Sequence, residues 1–199
     1  MKRKKQIILL AHCILNVNSK VYGLAGYKSS LKDLVTFLMD QDTAMIQLPC
    51  PELEILGLKR WGHVKDQLDY PLFRESCRSL LDPMIRQVRM YRENGYVLQG
   101  VIGIDGSPCC GVNRTCRSFA WSGDFLDKEE TWAKIRQMHW AKEPGIFMEL
   151  FQSMLREASL SLPFFGVDEI DSGETLPALI KELAVLQEKE KDDSLLRSP

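Results

Sequence analysis

The sequence lacks long apolar runs and an excess of charge of either sign. No stretch approaches the about 18 consecutive apolar residues of a membrane-spanning helix. The formal net charge is −1, with 26 Lys and Arg against 27 Asp and Glu, which gives no electrostatic reason to expect a nucleic acid partner. The composition is 45% hydrophobic and 27% charged, as is typical of a globular protein. We therefore expect neither a membrane nor a nucleic acid as a partner.

An export signal, internal repeats and interdomain linkers are also missing from the sequence pattern. The basic start "KRKK" precedes an apolar run of only Ile7 to Ala11, which is shorter than the about 7–15 residues of a signal peptide. We interpret this run as the first β-strand of a cytoplasmic protein. Without a linker or a repeat, residues 1–199 are expected to form one domain.

Apolar runs alternate with helical patterns along the chain. "QIILLAHC" and "TAMIQLPC" predict buried strands that end at Cys13 and Cys50, and "YVLQGVIGIDG" predicts a strand that ends just before Ser107. Helical spacing marks the intervening segments, among them a long helix with a kink or break at Pro83. This alternation predicts an α/β fold with a mainly parallel sheet, arranged as a Rossmann-like three-layer sandwich.

The domain is expected to contain three parts. Residues 6–115 carry the cysteine motifs. Residues 112–144 form a helical insert that holds three of the four tryptophans, and this insert is either a small satellite core or a lid over a binding site. Residues 145–191 form a closing βα unit and a C-terminal helix.

The six cysteines are the residues most able to carry chemistry. Cys77 lies on the apolar stripe of the long helix, which predicts a buried core residue. Parallel sheets bind ligands beyond the carboxyl ends of their strands. Cys13, Cys50 and the Cys109–Cys110 pair are therefore expected to share one crevice.

Three converging thiols are compatible with several chemistries. Structural zinc normally takes four ligands, often in CxxC pairs, and the sequence contains no CxxC. A [4Fe–4S] cluster with three cysteine ligands leaves one iron open to act as a Lewis acid, preferably toward sulfur. On spacing alone, zinc, a catalytic thiol and coincidence remain alternatives.

Three motifs follow the predicted strands in order: "CILNVNSKVYG" at 13–23, "CPE" at 50–52 and "SPCCG" at 107–111. In this they resemble the thiouracil desulfidase family, which has a cysteine-led first motif, a CPE motif and an SPxCG motif. The resemblance spans roughly residues 6–115, and "EPGIFMELFQSML" is similar to the helix that closes the family domain.

The resemblance implies a cofactor, an activity and a set of site residues. Cys13, Cys50 and Cys110 would hold a [4Fe–4S] cluster with one open iron. Glu52 and Ser107 would be the acid–base and substrate-binding groups. The implied enzyme is a desulfidase that removes sulfur from a small thiolated compound, such as a thiouracil-like heterocycle, and releases sulfide.

Several departures from the family pattern predict a divergent branch. Ser19 stands where many members carry a second cysteine, which leaves the three-cysteine interpretation intact, and Ile104 stands in place of a lysine. "LEILGLKRWGH" lacks the usual Gly-Gly-Leu-Pro continuation. His12 replaces a small residue and, as the strand neighbour of Cys13, is expected to face the opposite side of the sheet. Cys109 falls on the variable position of SPxCG, so it is left out of the ligand set.

Two other function classes remain open at the level of sequence. The first is a non-catalytic iron–sulfur or metal-binding protein that acts as a sulfide carrier or sensor. The second is a hydrolase with Cys50 or Cys110 as its nucleophile, although the sequence offers no obvious partner histidine. His63 is either a solvated loop residue or a substrate contact. In each case the partner is a small molecule, and the sequence does not determine the oligomeric state.

Overall fold

Six strands form in the part of the chain that the computed structural model describes, which covers residues 3–125, 127–169 and 174–185. Four of them build the main sheet and two build a separate ribbon. The strands are β1 (Gln6–Leu10), β2 (Ala44–Gln47), β3 (Val97–Ile104), β4 (Thr115–Arg117), β5 (His139–Ala141) and β6 (Phe164–Val167).

The helices vary from one turn to more than six turns. They are α1 (His12–Leu15), α2 (Lys32–Asp40), α3 (Pro51–Leu56), α4 (Lys65–Leu68), α5 (Pro71–Glu93), α6 (Lys128–Arg136) and α7 (Ile146–Glu157). A 3₁₀ turn covers Val17–Ser19, and residues 174–185 are also helical. The predicted C-terminal helix extends to residue 191, and its last part lies outside the described residues.

The main sheet has the order β2-β1-β3-β6, and all of its pairings are parallel. All residues of β1 are buried, and β3 is buried from Gln99 onward. Continuous burial of this kind is typical of strands that are covered on both faces. The prediction of an α/β fold with a mainly parallel sheet is confirmed.

Apolar faces of the two longest helices cover part of this sheet. α5 and α7 pack against each other, and the side chains of Phe73, Phe147 and Phe151 are fully buried between the elements. Cys77, on the same stripe of α5 as Phe73, has no exposed surface. The prediction that Cys77 belongs to the core is therefore confirmed.

Of the kink or break expected at Pro83, the break is absent, because α5 continues from Pro71 to Glu93 as one helix. Proline removes one helical hydrogen bond and leaves the carbonyl four residues earlier without its donor. That residue is Ser79, and both Ser79 and Pro83 are exposed. Solvent can satisfy the freed carbonyl at this position, so the helix does not need to break.

The first two strands end earlier than their apolar runs predict. β1 ends at Leu10, and the next residues turn into α1, so Cys13 lies on a helical turn and not on a strand. β2 ends at Gln47, and Cys50 directly precedes α3, which starts at Pro51. Proline at a first helical position favours such a start. The strand assignments of Cys13 and Cys50 were wrong.

The insert contains less helix than the sequence suggests. Within residues 112–144, α6 is accompanied by the antiparallel ribbon of β4 and β5. Four of its aromatic side chains are at least 45% exposed, namely Phe119, Phe125, Trp132 and Trp140. These four side chains do not build the satellite core that was one of the two expectations for this insert.

Ion pairs connect the insert to the rest of the domain. Arg117 in β4 donates to the Asp66 carboxylate of α4 with an Nη2–Oδ1 distance of 2.7 Å, and the Ser118 amide donates to the same carboxylate at 2.8 Å. The bond to Arg117 lowers the pKa of Asp66. The buried Lys65 donates to the Glu149 carboxylate of α7 at 3.0 Å. The insert is thus attached through α4 to the core helices.

Among the helices in the described ranges, none combines the length and the apolar character needed to cross a membrane.

Because Cys77 is buried, we expect the metal-free protein to become less stable at alkaline pH. Burial raises the pKa of the Cys77 thiol from 9.0 to about 12. A raised folded-state pKa stabilises the fold fully below the unfolded-state pKa, and this contribution is lost as pH rises toward the folded-state value. We therefore expect the free energy of unfolding to fall progressively as the pH rises from 9.0 to about 12.

Comparison with Cys77→Ala isolates this thiol in urea unfolding curves measured across that pH range. The variant should be less stable throughout, because it leaves a cavity. The free energy of unfolding of the variant should nevertheless fall less steeply with pH than that of the wild type. The two slopes should differ by at most about 1.4 kcal/mol per pH unit, the contribution of one titrating group. Parallel curves for the two proteins would contradict the expectation.

Candidate functional site

Three chain segments meet at the carboxyl edge of the main sheet. Cys13 follows β1, Cys50 follows β2, and the segment from Ser107 to Cys110 follows β3. These three strands are neighbours and run parallel, so their ends lie at the same edge. The structure therefore brings the sequence-predicted residues to one edge, as expected from the strand order.

The thiols at this edge differ in burial and are linked by their charges: Cys110 is buried, while Cys13 and Cys50 are half-buried. The pKa of Cys13 is raised from 9.0 to about 12, mainly by burial; the charge of Lys20 opposes this increase and the charge of Cys50 adds to it. Burial also raises the pKa of Cys110 well above its ordinary value, with added contributions from the charges of Cys13 and Cys50. These charge effects place the three thiols in one electrostatic environment. They remain protonated near neutral pH.

Cys109 belongs to the same environment but lies deeper. Its side chain is 1% exposed, and burial is the main reason that its pKa is raised, followed by the charges of Glu52 and Cys110. Cys77 also raises the pKa of Cys109. The thiol of Cys109 is thus close enough to Cys110 and to the core thiol of Cys77 for both charges to act on it. All six cysteines are free.

Hydrogen bonds fix the loop that carries Cys109 and Cys110. The Ser107 hydroxyl oxygen accepts from the amides of Cys109 at 3.2 Å and Cys110 at 3.0 Å. The Asp105 carboxylate accepts from the amides of Val112 and Asn113, both at 2.9 Å. Ser107 therefore has a role in the backbone of the loop that the sequence did not indicate. Its own proton can still be donated to a ligand.

The start of α7 holds the same loop from the other side. The Ile146 amide donates to the Pro108 carbonyl at 3.0 Å, and the amides of Phe147 and Met148 donate to the Cys109 carbonyl at 3.1 and 3.2 Å. The first amides of a helix have no partners inside the helix. Here the cysteine loop supplies their acceptors, so the loop and α7 fix each other.

Glu52 lies in the first turn of α3, beside the thiols. Its charge raises the pKa values of Cys13, Cys50, Cys109 and Cys110. Its side chain is 12% exposed. The carboxylate is therefore close enough to the thiols at the carboxyl edge of the sheet for its charge to act on them.

Two cations at the crevice were not identified from the sequence. Lys20 is ion-paired with Glu169 and lies over the Tyr27 ring, 5.8 Å from its centroid. Burial lowers the pKa of Lys20, while the charges of Cys13 and two further anionic groups raise it. Arg60 donates from Nε to Glu52 Oε2 at 3.2 Å. Lys20 lies in the first motif, Arg60 lies shortly after the second, and Glu169 follows β6. The order of the strands was therefore the one sequence signal that could have placed these residues at the same edge of the sheet.

The histidines near the motifs contact backbone atoms. His12 lies on α1, with its Nδ1 atom 3.2 Å from the Leu48 carbonyl oxygen. The prediction that His12 faces the opposite side of a strand was wrong, because no strand extends to this residue. The His63 carbonyl accepts from the Cys116 thiol at 3.5 Å. The Nδ1 atom of the His63 ring is buried and has no hydrogen-bond partner within the described residues.

Across the described ranges, no three His, Cys, Asp or Glu side chains form a group that could hold a metal ion. Two surface cavities, of about 360 and 320 Å³, lie elsewhere. One is lined by residues of α7, of β6 and of the segment between them, and the other by Asn113 and residues of β6 and the helical segment 174–185. No cysteine lines either of them, so we base the site on the thiols and their charges.

Close backbone packing at Gly111 provides a test of the cysteine loop. A Cβ atom on Gly111 would overlap the Arg114 carbonyl oxygen and lie 2.9 Å from that of Ser107. Both are backbone atoms, which cannot move aside without disturbing the loop. We expect Gly111→Ala to destabilise the protein by about 1–3 kcal/mol in thermal unfolding.

Gly62→Ala is the matched control, because a Cβ there meets no atom of the described residues within 4 Å. It should change stability by no more than about 0.5 kcal/mol. Equal effects of the two substitutions would show that the loop is not tightly packed.

Comparison with known proteins identifies a relative. No family model and no solved structure matches the chain. The chain is similar to the uncharacterized protein MJ0003 of Methanocaldococcus jannaschii, with 38% identity over 108 residues, which cover 54% of this chain and 69% of that protein. Since the similarity extends over more than two thirds of the archaeal protein, the chain belongs to the same family as that protein.

Proposed function

We propose that the chain is a [4Fe–4S]-dependent desulfidase that removes sulfur from a small thiolated compound and releases sulfide. The observation that carries the proposal is the group of three thiols, Cys13, Cys50 and Cys110, at the ends of three adjacent parallel strands. The charge of Cys50 raises the pKa values of Cys13 and Cys110, and the charge of Glu52 raises the pKa values of all three thiols. The motif resemblance supports the same assignment.

The donor atoms fit an iron–sulfur cluster. Thiolates are the usual ligands of such clusters, and each iron takes its own thiolate, so three ligands need not converge on one ion. Cys13, Cys50 and Cys110 would hold it. Lys20 is the positive charge that acts on the Cys13 and Cys110 thiols, and it would offset part of the negative charge of the thiolates. When bound, the cluster supplies an open iron that acts as a Lewis acid toward the substrate sulfur.

Glu52 is proposed to move the protons of the reaction. Conversion of a thiocarbonyl to a carbonyl consumes one water molecule, whose oxygen forms the new bond to carbon. The sulfur leaves with both protons as hydrogen sulfide, so no external oxidant or reductant is needed. Arg60 engages Oε2 of Glu52. We therefore assign proton transfer to Oε1, which takes a proton from water and returns it to the leaving sulfur.

Ser107 is proposed to orient the substrate while it holds the loop. Its oxygen accepts from the amides of Cys109 and Cys110, which leaves the hydroxyl proton for a substrate acceptor or for the attacking water. One side chain would thus determine both the position of Cys110 and the direction of its own donor.

The finer architecture belongs to the same proposal. The parallel sheet and its helices would form a Rossmann-like three-layer sandwich, and residues 112–144 would form a lid over the crevice. Two contacts support the lid: Trp121 Nε1 donates to the Gly62 carbonyl at 3.3 Å, and the Trp61 and Phe125 ring centroids are 5.5 Å apart. We also propose a cytoplasmic location, because free thiols persist in reducing compartments.

Anaerobic purification of the wild type and four serine variants tests the cofactor. The wild type should contain about four iron and four sulfide per chain. Cys13→Ser, Cys50→Ser and Cys110→Ser should each lose most of the iron, because each removes one of three ligands. Cys77→Ser is the control, since Cys77 is buried on α5, and it should keep the iron. Equal iron loss from all four variants would overturn the ligand assignment.

Glu52→Gln and Ser107→Ala test the proposed catalytic roles. Glu52→Gln keeps the size of the side chain and removes proton transfer, so sulfide release should fall by about 10²–10⁴ with normal iron content. Ser107→Ala also removes the acceptor of the Cys109 and Cys110 amides, so its activity is compared per bound iron, and on that basis it should lose less than Glu52→Gln. The measurement is sulfide release from a thiocarbonyl compound. Undiminished release by an iron-replete Glu52→Gln protein would contradict the role of Glu52, and sulfur bound without turnover would favour a carrier.

A further inference from the structure

The Arg60 side chain connects three segments of the chain. Its guanidinium donates to Glu52 Oε2 at 3.2 Å, to the Gly57 carbonyl at 3.0 Å and to the Ser19 carbonyl at 2.5 Å. The side chain is only 3% exposed. One guanidinium group thus joins the start of α3, the turn that ends α3 and the 3₁₀ turn after Cys13.

The geometry of the guanidinium makes these bonds mutually dependent. Its donors lie in one rigid plane, so the two carbonyl bonds fix the direction of the Nε–H group. That group meets the Glu52 carboxylate. Glutamate has several rotatable bonds and loses much rotamer freedom when it is held in one place. Since Gly57 and Ser19 fix Arg60, Arg60 in turn selects one placement of Glu52.

Contacts on the other side of the loop keep Arg60 from turning away. The next residue, Trp61, contacts the Phe125 ring, and the Gly62 carbonyl accepts from Trp121 Nε1. The loop is therefore held on the insert by Trp61 and Gly62, while Arg60 extends toward α3. Neighbouring residues of one short segment make these two sets of contacts.

We infer that Arg60 is a positioning residue for Glu52. It holds the carboxylate beside the thiols of Cys13, Cys50 and Cys110 and takes no part in the reaction itself. The inference rests on the proposed function, because it explains how the proposed proton-transfer group is kept in place. A lysine at this position would keep the charge but could not make three bonds in one plane.

A double-mutant cycle on turnover tests this role. The proteins are wild type, Arg60→Met, Glu52→Gln and the double variant, with 2-thiouracil as the probe. Arg60→Met should keep its iron and its KM while kcat falls by up to about 10²-fold, because a misplaced catalytic group loses that much. In the Glu52→Gln background it should cause no further loss, since no carboxylate remains to be positioned. Arg60→Lys should recover part of kcat.

Lys59→Met is the matched control, because Lys59 is an exposed cation of the same loop, and its kcat should equal that of the wild type. An Arg60→Met protein with full kcat would overturn the inference. Independent, multiplicative losses from Arg60→Met and Glu52→Gln would overturn it as well, because they would show that Arg60 acts through something other than Glu52.

The unfolding midpoints of the metal-free proteins separate this inference from the proposed function. If Arg60 contacts Glu52, the unfolding midpoint of the double variant should be lowered by less than the sum of the decreases in the two single variants. If the wild type released no sulfide, the proposed function would fail, and this second cycle would still decide whether Arg60 holds Glu52. A smaller combined loss would support the placement, and additive losses would overturn it.

Discussion

The parallel pairing of β1 with β2 and β3 is the constraint on which the site depends. The pairing continues past the strand ends, because the Ala11 amide donates to the Ile102 carbonyl and the Leu48 amide donates to the Leu10 carbonyl, both at 2.8 Å. The chain therefore leaves each strand at nearly the same level of the sheet. Segments far apart in sequence reach one edge there, and their thiols come to influence one another. Without this register, the cysteine motifs would be separate loops.

Backbone hydrogen bonds determine where the third cysteine motif lies. Asp105 and Ser107 bond to amides of the loop, and the first amides of α7 bond to its carbonyls. Each of these groups is buried or half-buried and would be costly to leave without a partner. The loop is thus held in one conformation before any ligand arrives. Such preorganisation is what a site needs if its thiols are to meet a cofactor at fixed positions.

Charge balance explains why the crevice can hold several anionic groups. Glu52 and the thiols repel one another when ionised, and burial makes this more costly. The pKa values of Cys13 and Cys110 are raised as a result. Arg60 and Lys20 supply positive charge to the same region. Deprotonation of three thiols together therefore requires further positive charge. Iron would supply it, which links the electrostatics of the crevice to the proposed cofactor.

The sequence by itself determined the α/β class, the mainly parallel sheet, the burial of Cys77 and the meeting of three motifs at one edge. These follow from local signals, namely apolar runs, helical spacing and the order of strands. Only the tertiary structure decided that Cys13 and Cys50 lie on or beside helical turns, that α5 continues through Pro83, and which cations face the thiols. The reason is physical: Arg60 bonds to Ser19 across 41 positions, and no local pattern encodes a contact between residues that only folding brings together.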